Sequence, residues 1–436
     1  MEAGVREMRV GTASRSLVVP VVGAAVAAAT VVFGLLASAA GTELGTPLPP
    51  FLVSWDPGAG IFAAPAAAAV AGSVWIAPKL RSRRLSPPAF AVAALSLGLA
   101  LRLALGVARD GLPGLYTVYE LGHYEAASEY LPALPAVDLG ARLFLDTFAE
   151  VGTSLSVHAI GHPPGLLLSL HWLGIDSARA MAALTIGGGA LSVPLAYVLG
   201  RSLLDERRAR TATLLYAFAP SAVVFGVTSA DALYATLALA AAIALVARGA
   251  ARALGPPALV LAGFFSYANL AIGAWGVLVS GRRYGLRRAA GMAVACGLAL
   301  AVFYAGLYLG AGYDPLGAVR AAGTVYGEGI ATTRPYGFWL FGSPVAFLVG
   351  LGLPTAWFAL RAAGEGWTPA LALLAVVAVG ALLGFTKAET ERIYLFLVPL
   401  ACISAAAVLP DRLLPAALAA LAAQALASEL LLETIW

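Results

Sequence analysis

Charge is scarce in this chain. Only 11% of its 436 residues are Asp, Glu, Lys or Arg, whereas an ordinary globular protein carries roughly 25%. A soluble protein of this length needs far more charge to cover its surface, so a soluble multidomain enzyme is excluded. Hydrophobic residues make up 61% of the chain, which is enough for about 13 spans of about 20 residues each. We therefore predict an all-α polytopic membrane protein with a helical first outer loop.

Cysteine and lysine are also rare. The two cysteines, Cys296 and Cys402, lie inside apolar runs and lack a second ligand at metal spacing, which argues against a disulfide framework or a zinc site. Lysine occurs only at Lys79 and Lys387, so arginine supplies nearly all of the 27 basic residues. The arginines flank apolar runs, so membrane topology explains the basic balance and we predict no nucleic-acid partner.

The apolar runs set the predicted topology. They lie at 17–40, 59–78, 87–108, 177–200, 209–228, 230–248, 256–280, 287–308, 336–360, 367–385, 391–409 and 412–431. We interpret 256–280 as a tight pair of crossings broken near Tyr267-Ala268-Asn269, which gives about 13 in all. A single crossing there would put the arginine cluster 282–288 outside, against the positive-inside rule.

The chain divides into three predicted regions. Residues 1–86 form a cytoplasmic N-terminal tail, carrying Arg6, Arg9 and Arg15, and an extra transmembrane hairpin. Residues 87–280 form a core with a long outer loop at 109–176, and residues 281–436 form C-terminal helices with an outer loop at 309–335. The abundance of Ala, Gly and Arg is typical of a GC-rich bacterial genome, so we expect a multi-pass protein of the bacterial cytoplasmic membrane with its N-terminus in the cytoplasm.

The first outer loop carries the first candidate site. A helix from about Tyr119 would place Glu120, His123 and Tyr124 on one face, with Glu125 and Glu129 on a second face. A carboxylate at the membrane surface can act as general base toward a hydroxyl group. The alternative is a solvated amphipathic surface helix.

All four histidines of the chain lie in this loop. In His162-Pro163-Pro164 the prolines favour an extended turn that aims His162 toward a phosphate or sugar. The alternative is a helix-start turn with an incidental histidine. His158 and His162 have the spacing of a metal pair on a helix, but Gly161 and the prolines argue against that helix. The apolar stretch 163–172 is too short to span and predicts an interfacial helix.

Two further outer segments carry charge. Arg334 ends the loop 309–335, where a guanidinium fork suits phosphate; the alternative is an ordinary loop. Lys387, Glu391 and Arg392 lie at the outer mouth of a span, where charges usually face partners or cavities. Lys387 and Arg392 together could hold a lipid phosphate, and the alternative is a set of interfacial anchors.

Two lone charges remain near span ends. Arg102 lies inside the third apolar run, and we expect it to snorkel outward or to pair with an acid of the outer loop. Asp231 lies in the tight turn 228–231, where we expect it to cap the following helix.

The order of these motifs resembles a known family. It comprises an acidic E-x-x-x-Y motif (Glu120 to Tyr124), the His-Pro-Pro turn, a basic inner loop at 200–208 and a span pair that turns at 219–221 and 229–233. This order is similar to that of the polytopic GT-C glycosyltransferases, which include protein O-mannosyltransferases and lipid A aminoarabinose transferases. The segment 387–400 also resembles part of uncharacterised actinobacterial members.

The resemblance implies inverting transfer of a sugar from a polyprenyl-phosphate donor to a glycan, lipid or protein acceptor of the cell envelope. Glu120 would be the catalytic base, at an active site on the outer membrane face. The substrate-binding residues would be His123, Tyr124, Glu125, His158, His162, Arg334, Lys387, Glu391 and Arg392. We expect no cofactor, and a divalent metal is not favoured. A lipid-linked saccharide transporter or flippase and a noncatalytic envelope-assembly scaffold are the alternatives.

Overall fold

The structure, a computed structural model, describes residues 17–82, 84–384 and 386–434. The predicted N-terminal tail and Arg83 of the predicted inner loop lie outside these residues. The N-terminal region contains α1 (Val18–Ala39), β1 (Val53–Trp55), α2 (Ala63–Ser82) and α3 (Pro87–Gly106). The loop 109–176 contains α4 (Pro135–Asp138), α5 (Ala141–Val151), α6 (Val157–Gly161) and α7 (Gly165–Leu173). This loop is therefore helical, as predicted.

The rest of the described chain is also helical apart from its last strand. The middle region contains α8 (Ala178–Ala190), α9 (Ser192–Leu203), α10 (Glu206–Phe218), α11 (Pro220–Thr228), α12 (Asp231–Val246), α13 (Gly255–Phe265) and α14 (Ala271–Tyr284). The C-terminal region contains α15 (Leu286–Ala311), α16 (Pro315–Glu328), α17 (Tyr336–Gly350), α18 (Leu353–Gly364), α19 (Thr368–Leu383), α20 (Thr390–Ile393), α21 (Val398–Val408), α22 (Leu414–Leu431) and β2 (Leu432–Thr434).

Length and composition identify candidate membrane spans among these helices. Seven described segments are long and apolar enough, and the count reaches nine if two bent helix pairs each form one span. The seven are Val18–Ala39, Ala63–Ser82, Pro87–Gly106, Ala178–Leu203, Leu286–Ala311, Thr390–Val408 and Asp411–Leu431. The chain is thus a helical multi-pass membrane protein, and the figure of about 13 crossings stays a prediction.

Two of the predicted apolar runs, 256–280 and 336–360, contain helix breaks in the structure. The predicted break within 256–280 is confirmed, because α13 ends at Phe265, a 3-10 turn spans Tyr267–Leu270 and α14 begins at Ala271. The run 336–360, predicted as one crossing, contains two helices, α17 and α18, that meet at 113°. Gly352 has φ +85 at the break and Pro354 follows, so the chain turns where a side chain would be strained.

Burial separates a central layer from a peripheral one. The segment Thr390–Val408 is 89% buried, whereas Leu286–Ala311 is 11% buried and Val18–Ala39 is 17% buried. The peripheral helices expose bulky side chains such as Phe33, Leu36 and Val302. Apolar faces of this extent suit contact with lipid, and they place the buried helices at the centre of the protein.

The two long loops that we predict on the outer face, 109–176 and 309–335, pack against each other. Helix α16 lies against α5 and α6, and the Phe148 ring is 5.7 Å from the Tyr313 ring. The sharp turn before α16 needs Gly312, at φ +76, because a Cβ there would collide with the Asp146 carboxylate. Asp314 then caps α16 by accepting the backbone N–H of Leu316. The loops therefore form a single cap over one end of the helices.

The helix predicted at 163–172 exists as α7, at Gly165–Leu173. It packs into the cap through Leu166, Leu167 and Leu168, and exposes Trp172 at its end. A short antiparallel pairing of β1 with β2 is the exception to the all-α prediction, and joins Val53 to Thr434.

Candidate functional site

The segment 117–130 is not the predicted helix. It forms two 3-10 turns, Thr117–Tyr119 and Glu125–Ala127, separated by an extended Glu120 and by Gly122 at φ +118. A glycine in that conformation cannot continue a right-handed helix, so the predicted shared face does not form. Glu120 and Tyr124 are exposed, while Glu125 is buried.

His123 also departs from its predicted place. Its ring packs beside the exposed Tyr124 ring, with centroids 4.6 Å apart, and its Nδ1 accepts the backbone N–H of Glu125 at 3.3 Å. Glu120, His123 and Tyr124 therefore lie on the surface of the loop, and the prediction that they form one helical face with a catalytic base is wrong in its geometry.

Two carboxylates and a histidine meet beneath this surface. His158 Nε2 lies 2.9 Å from Glu125 Oε1 and 3.9 Å from Glu129 Oε1. The side chains are 12%, 11% and 2% exposed respectively. Helix α6 holds the histidine in place, since the backbone N–H of His158 donates to Ser128 O at 2.9 Å. The two sequence motifs, predicted separately, thus share one buried site.

Glu129 has the most unusual environment of the three. Its pKa is raised to about 7, chiefly by burial and to a lesser degree by the negative charges of Glu125 and Asp231, while His158 and Arg392 oppose the shift. Its Oε2 is buried and has no hydrogen-bond partner within the described chain. A carboxyl group with a pKa near neutrality and a free oxygen can take a proton from a bound hydroxyl.

His158 and His162 behave differently. Burial alone would lower the pKa of His158, but the Glu129 charge and the hydrogen bond that His158 donates to Glu125 outweigh it and raise that pKa. His162 has the extended backbone that the prolines predict, at φ −123 and ψ 158. Burial lowers its pKa to about 3, so its ring is neutral. The unlike environments do not form the metal pair that their spacing suggested.

His162 lies between two tyrosines rather than beside the carboxylates. Its ring centroid is 6.1 Å from that of Tyr130 and 5.0 Å from that of Tyr234. The Tyr234 hydroxyl donates to the Tyr130 hydroxyl at 2.6 Å. His162 Nδ1 is buried without a partner in the part of the chain that the structure describes, so it can serve a bound ligand.

A chain of alternating charges forms the other half of the site. Arg392 contacts Asp231 Oδ2 and Glu389 Oε2, each at 2.9 Å, and Arg334 contacts Glu389 Oε1 at 2.8 Å. All four side chains are at most 11% exposed. Arg334 and Arg392 were predicted to hold phosphate, and in the structure both contact carboxylates. Asp231 was expected to cap α12. It instead accepts from Arg392 and Ser229, so that prediction is wrong.

Lys387 remains the basic residue best placed for an anionic ligand. It is partly exposed, and its Nζ donates to the carbonyl of Arg334 at 3.1 Å. It forms no ion pair with the described residues. The following residues, Ala388 and Glu389, both have positive φ, at 67° and 61°. Such strain in residues other than glycine is typical of functional sites.

Glu391 is buried and uses one of its two oxygens in a backbone contact. Its Oε1 accepts the backbone N–H of Leu52 at 2.7 Å, which ties the segment 387–392 to the outer loop 41–58. Its Oε2 is buried without a partner among the described residues, and its role in substrate binding stays a prediction.

Long-range electrostatics join the two halves. Arg392 and Asp231 act on the pKa of Glu129, and His158 helps Arg392 and Arg334 to lower the pKa of Glu389 against the effect of burial. Among the described residues, Glu125, Glu129 and His158 form a group that could hold a metal, since their ligand atoms lie within 4.8 Å of one another. The buried charges of the whole site also balance without a metal when Glu129 is protonated. The carboxylates of Glu125, Asp231 and Glu389 are then matched by His158, Arg334 and Arg392.

An apolar cavity lies beside the segment 387–392. It has a volume of about 510 Å³ and is lined by residues of α17, α18 and α19, including Phe341, Phe347 and Leu373. One end reaches Ala381 and Leu382, a few residues before Lys387. A lipid chain could therefore lie in the cavity with its headgroup near that lysine.

Sequence reasoning missed three members of the site. Glu129 was placed on a second face, Asp231 was interpreted as a cap, and Glu389 was not singled out. The density of charge in 387–392 was the available signal for Glu389. Arg102 also differs from expectation, because it is 3% exposed and donates to Ser192 Oγ at 3.5 Å instead of reaching an outer acid.

Comparison with protein-family models, with curated proteins and with solved structures finds no match for this chain.

Proposed function

We propose that this chain is an integral membrane glycosyltransferase of the GT-C type, with about 13 crossings. It transfers a sugar from a polyprenyl-phosphate donor to a cell-envelope acceptor, on the outer face of the bacterial cytoplasmic membrane. The observation that carries the proposal is the buried Glu129 carboxyl, which combines a pKa of about 7 with an unpartnered oxygen next to His158. General-base catalysis toward a hydroxyl needs this combination.

The base in this proposal is Glu129 rather than Glu120. Glu120 is exposed on the surface of the loop and lies outside the buried cluster. Glu129 lies within the buried cluster, where a substrate hydroxyl would displace water and meet the free Oε2. Glu125 holds His158 by a 2.9 Å hydrogen bond, and His158 in turn limits the rise in the pKa of Glu129.

The proposed reaction is a single inverting displacement. Glu129 takes the proton of the acceptor hydroxyl, and the hydroxyl oxygen attacks the anomeric carbon. The bond from that carbon to the phosphate oxygen breaks, and the polyprenyl phosphate leaves with the electron pair. Lys387 stabilises the charge that develops on the leaving phosphate, and the neutral His162 offers Nδ1 to the sugar.

The lipid part of the donor has a matching environment. The lining of the apolar cavity between α17, α18 and α19 includes Ala381 and Leu382, a few residues before Lys387 in the chain, so an isoprenoid chain in the cavity would carry its phosphate toward the lysine. Arg334 and Arg392 keep the segment 387–392 in shape through Glu389. Their proposed role is therefore to position this segment.

The test is radiolabelled sugar transfer in membranes that contain the protein, with a panel of polyprenyl-phosphate sugars. We expect Glu129→Gln to lower the rate by about 10²–10⁴-fold, the usual range for loss of a general base. Glu120→Gln is the matched control, with the same chemical change in the same loop, and should stay near the wild-type rate. Loss in Glu120→Gln and not in Glu129→Gln would return the role to Glu120. No transfer from any donor by folded protein would reject the enzyme.

Lipid-linked saccharide transport is the second candidate, and the 113° break between α17 and α18 favours it. Broken helices often form substrate sites in transporters. A transporter would move a fluorescent lipid-linked sugar across proteoliposomes without forming a new glycosidic bond.

A further inference from the structure

A cluster of arginines lies at the end of α12 remote from the candidate site. Helix α12 begins at Asp231 and ends at Val246, so it is about 24 Å long at 1.5 Å per residue. The turns 247–254 and 281–288 lie beside this far end. Together they contain the arginines that we name the basic patch: Arg248, Arg252, Arg282, Arg283, Arg287 and Arg288.

Direct contacts hold the two turns together. The Tyr284 hydroxyl donates to Val246 O at 3.3 Å. The guanidinium carbon of Arg252 is 5.3 Å from the centre of the Tyr284 ring, and that of Arg283 is 5.7 Å from it. Arg283 also donates to Ser202 O at 2.8 Å, which fixes it against a third turn. The patch is therefore a built feature of the fold.

The two turns of the patch carry only positive charge. Neither 247–254 nor 281–288 contains an acid. The acids of the neighbouring turn, Asp205 and Glu206, already pair with other arginines, including Arg208 and Arg210. Arg283 Nη1 is buried and has no hydrogen-bond partner among the described residues. A buried guanidinium donor without an acceptor calls for an anionic ligand.

Exposed apolar side chains accompany these arginines. Leu254 is 63% exposed and Leu286 is 84% exposed, one in each turn. Guanidinium groups interleaved with exposed leucines suit the boundary between lipid headgroups and acyl chains. A water-soluble anion would leave the leucines without a partner.

We propose that the basic patch binds the phosphate of an anionic phospholipid in the leaflet opposite the candidate site. The guanidinium groups of Arg252 and Arg283, on either side of the turn at Tyr284, contact the phosphate, and Leu254 and Leu286 contact the acyl chains. This inference does not depend on the glycosyltransferase proposal.

The test is native mass spectrometry of the full chain released from nanodiscs of equal parts phosphatidylglycerol and phosphatidylcholine. We expect wild-type protein to retain phosphatidylglycerol preferentially. Arg252→Gln with Arg283→Gln should lower this preference by at least tenfold, at about fivefold per charge near an anionic surface. Inorganic phosphate at millimolar concentration should not displace the lipid. Displacement would show that the patch is a free-phosphate site and overturn the proposal.

The matched control is Arg207→Gln with Arg208→Gln, which removes the same charge from the neighbouring turn 201–208. We expect it to keep the preference. Equal loss in both double variants, or no loss in either, would overturn the proposal. If the first double variant does not fold, Arg248→Gln with Arg287→Gln tests the same patch through exposed side chains. An unchanged lipid preference in this second double variant would also refute the proposal.

Discussion

Removing the Arg392 guanidinium is the most direct perturbation of the buried charge network. It contacts two carboxylates at 2.9 Å, and the three side chains are 5%, 8% and 11% exposed. At an effective dielectric constant of about 20, each contact has a gross Coulomb energy of about 6 kcal/mol. Desolvation offsets most of this in the intact network. Arg392→Met leaves the buried Asp231 without its cation, and we expect a loss of about 3–5 kcal/mol in the free energy of unfolding.

The assay is SDS titration of the detergent-solubilised protein followed by tryptophan fluorescence. Arg361→Met is the matched control, because Arg361 contacts Glu365 at the same 2.9 Å but the two side chains are 32% and 25% exposed. Its loss should be below about 1 kcal/mol. Adding Asp231→Asn to Arg392→Met should restore part of the stability, since the amide buries no charge. A loss in Arg392→Met no larger than in the Arg361→Met control would refute the reasoning.

Four more predictions concern the site and the loop that carries it. Because the Glu129 pKa is raised to about 7, transfer should rise as the pH passes upward through about 7, and a rate flat from pH 5 to 9 would contradict Glu129 as base. Because the pKa is higher in the folded protein, Glu129 stabilises the fold most below about pH 4.5, and this contribution is lost as the pH rises through about 7. The free energy of unfolding of Glu129→Gln should therefore change less with pH between about 4.5 and 7. EDTA should leave transfer unchanged, because charge balances without a metal, and a tenfold loss restored by Mn²⁺ would assign Glu125, Glu129 and His158 to a metal. Gly122→Ala should cost about 1–3 kcal/mol of stability from its φ of +118 alone, since no atom lies within 4 Å of the new Cβ. Gly161→Ala, equally uncrowded but at a helical residue, should cost little.

The helical membrane architecture could be predicted because it follows from bulk composition. An apolar stretch of about twenty residues flanked by arginine is most often a transmembrane helix. The break at Tyr267 could be predicted because the run 256–280 is too long for one helix. The 113° bend at Gly352 was not visible, since glycine and proline are common in membrane helices and do not fix a direction.

The sequence indicated which segments form the site, but not which side chains contact one another within it. The sequence identified the loop 109–176 and the segment 387–392, because polar residues are conspicuous beside apolar runs. It could not pair Asp231 with Arg392, since their separation of 161 residues leaves no local signal. The resemblance pointed to Glu120 as the base, whereas the structure exposes Glu120 and buries Glu129.

The pairing of β1 with β2 constrains the path of the whole chain. Since Val53 and Thr434 are hydrogen-bonding neighbours, they lie on the same side of the bilayer, and the chain must cross it an even number of times between them. The predicted crossings meet this parity condition when 256–280 counts as a pair. A single crossing there would make the number odd and place a bilayer between two paired strands. A reporter fused beyond Thr434 should therefore report the same compartment as one inserted in the loop 41–58.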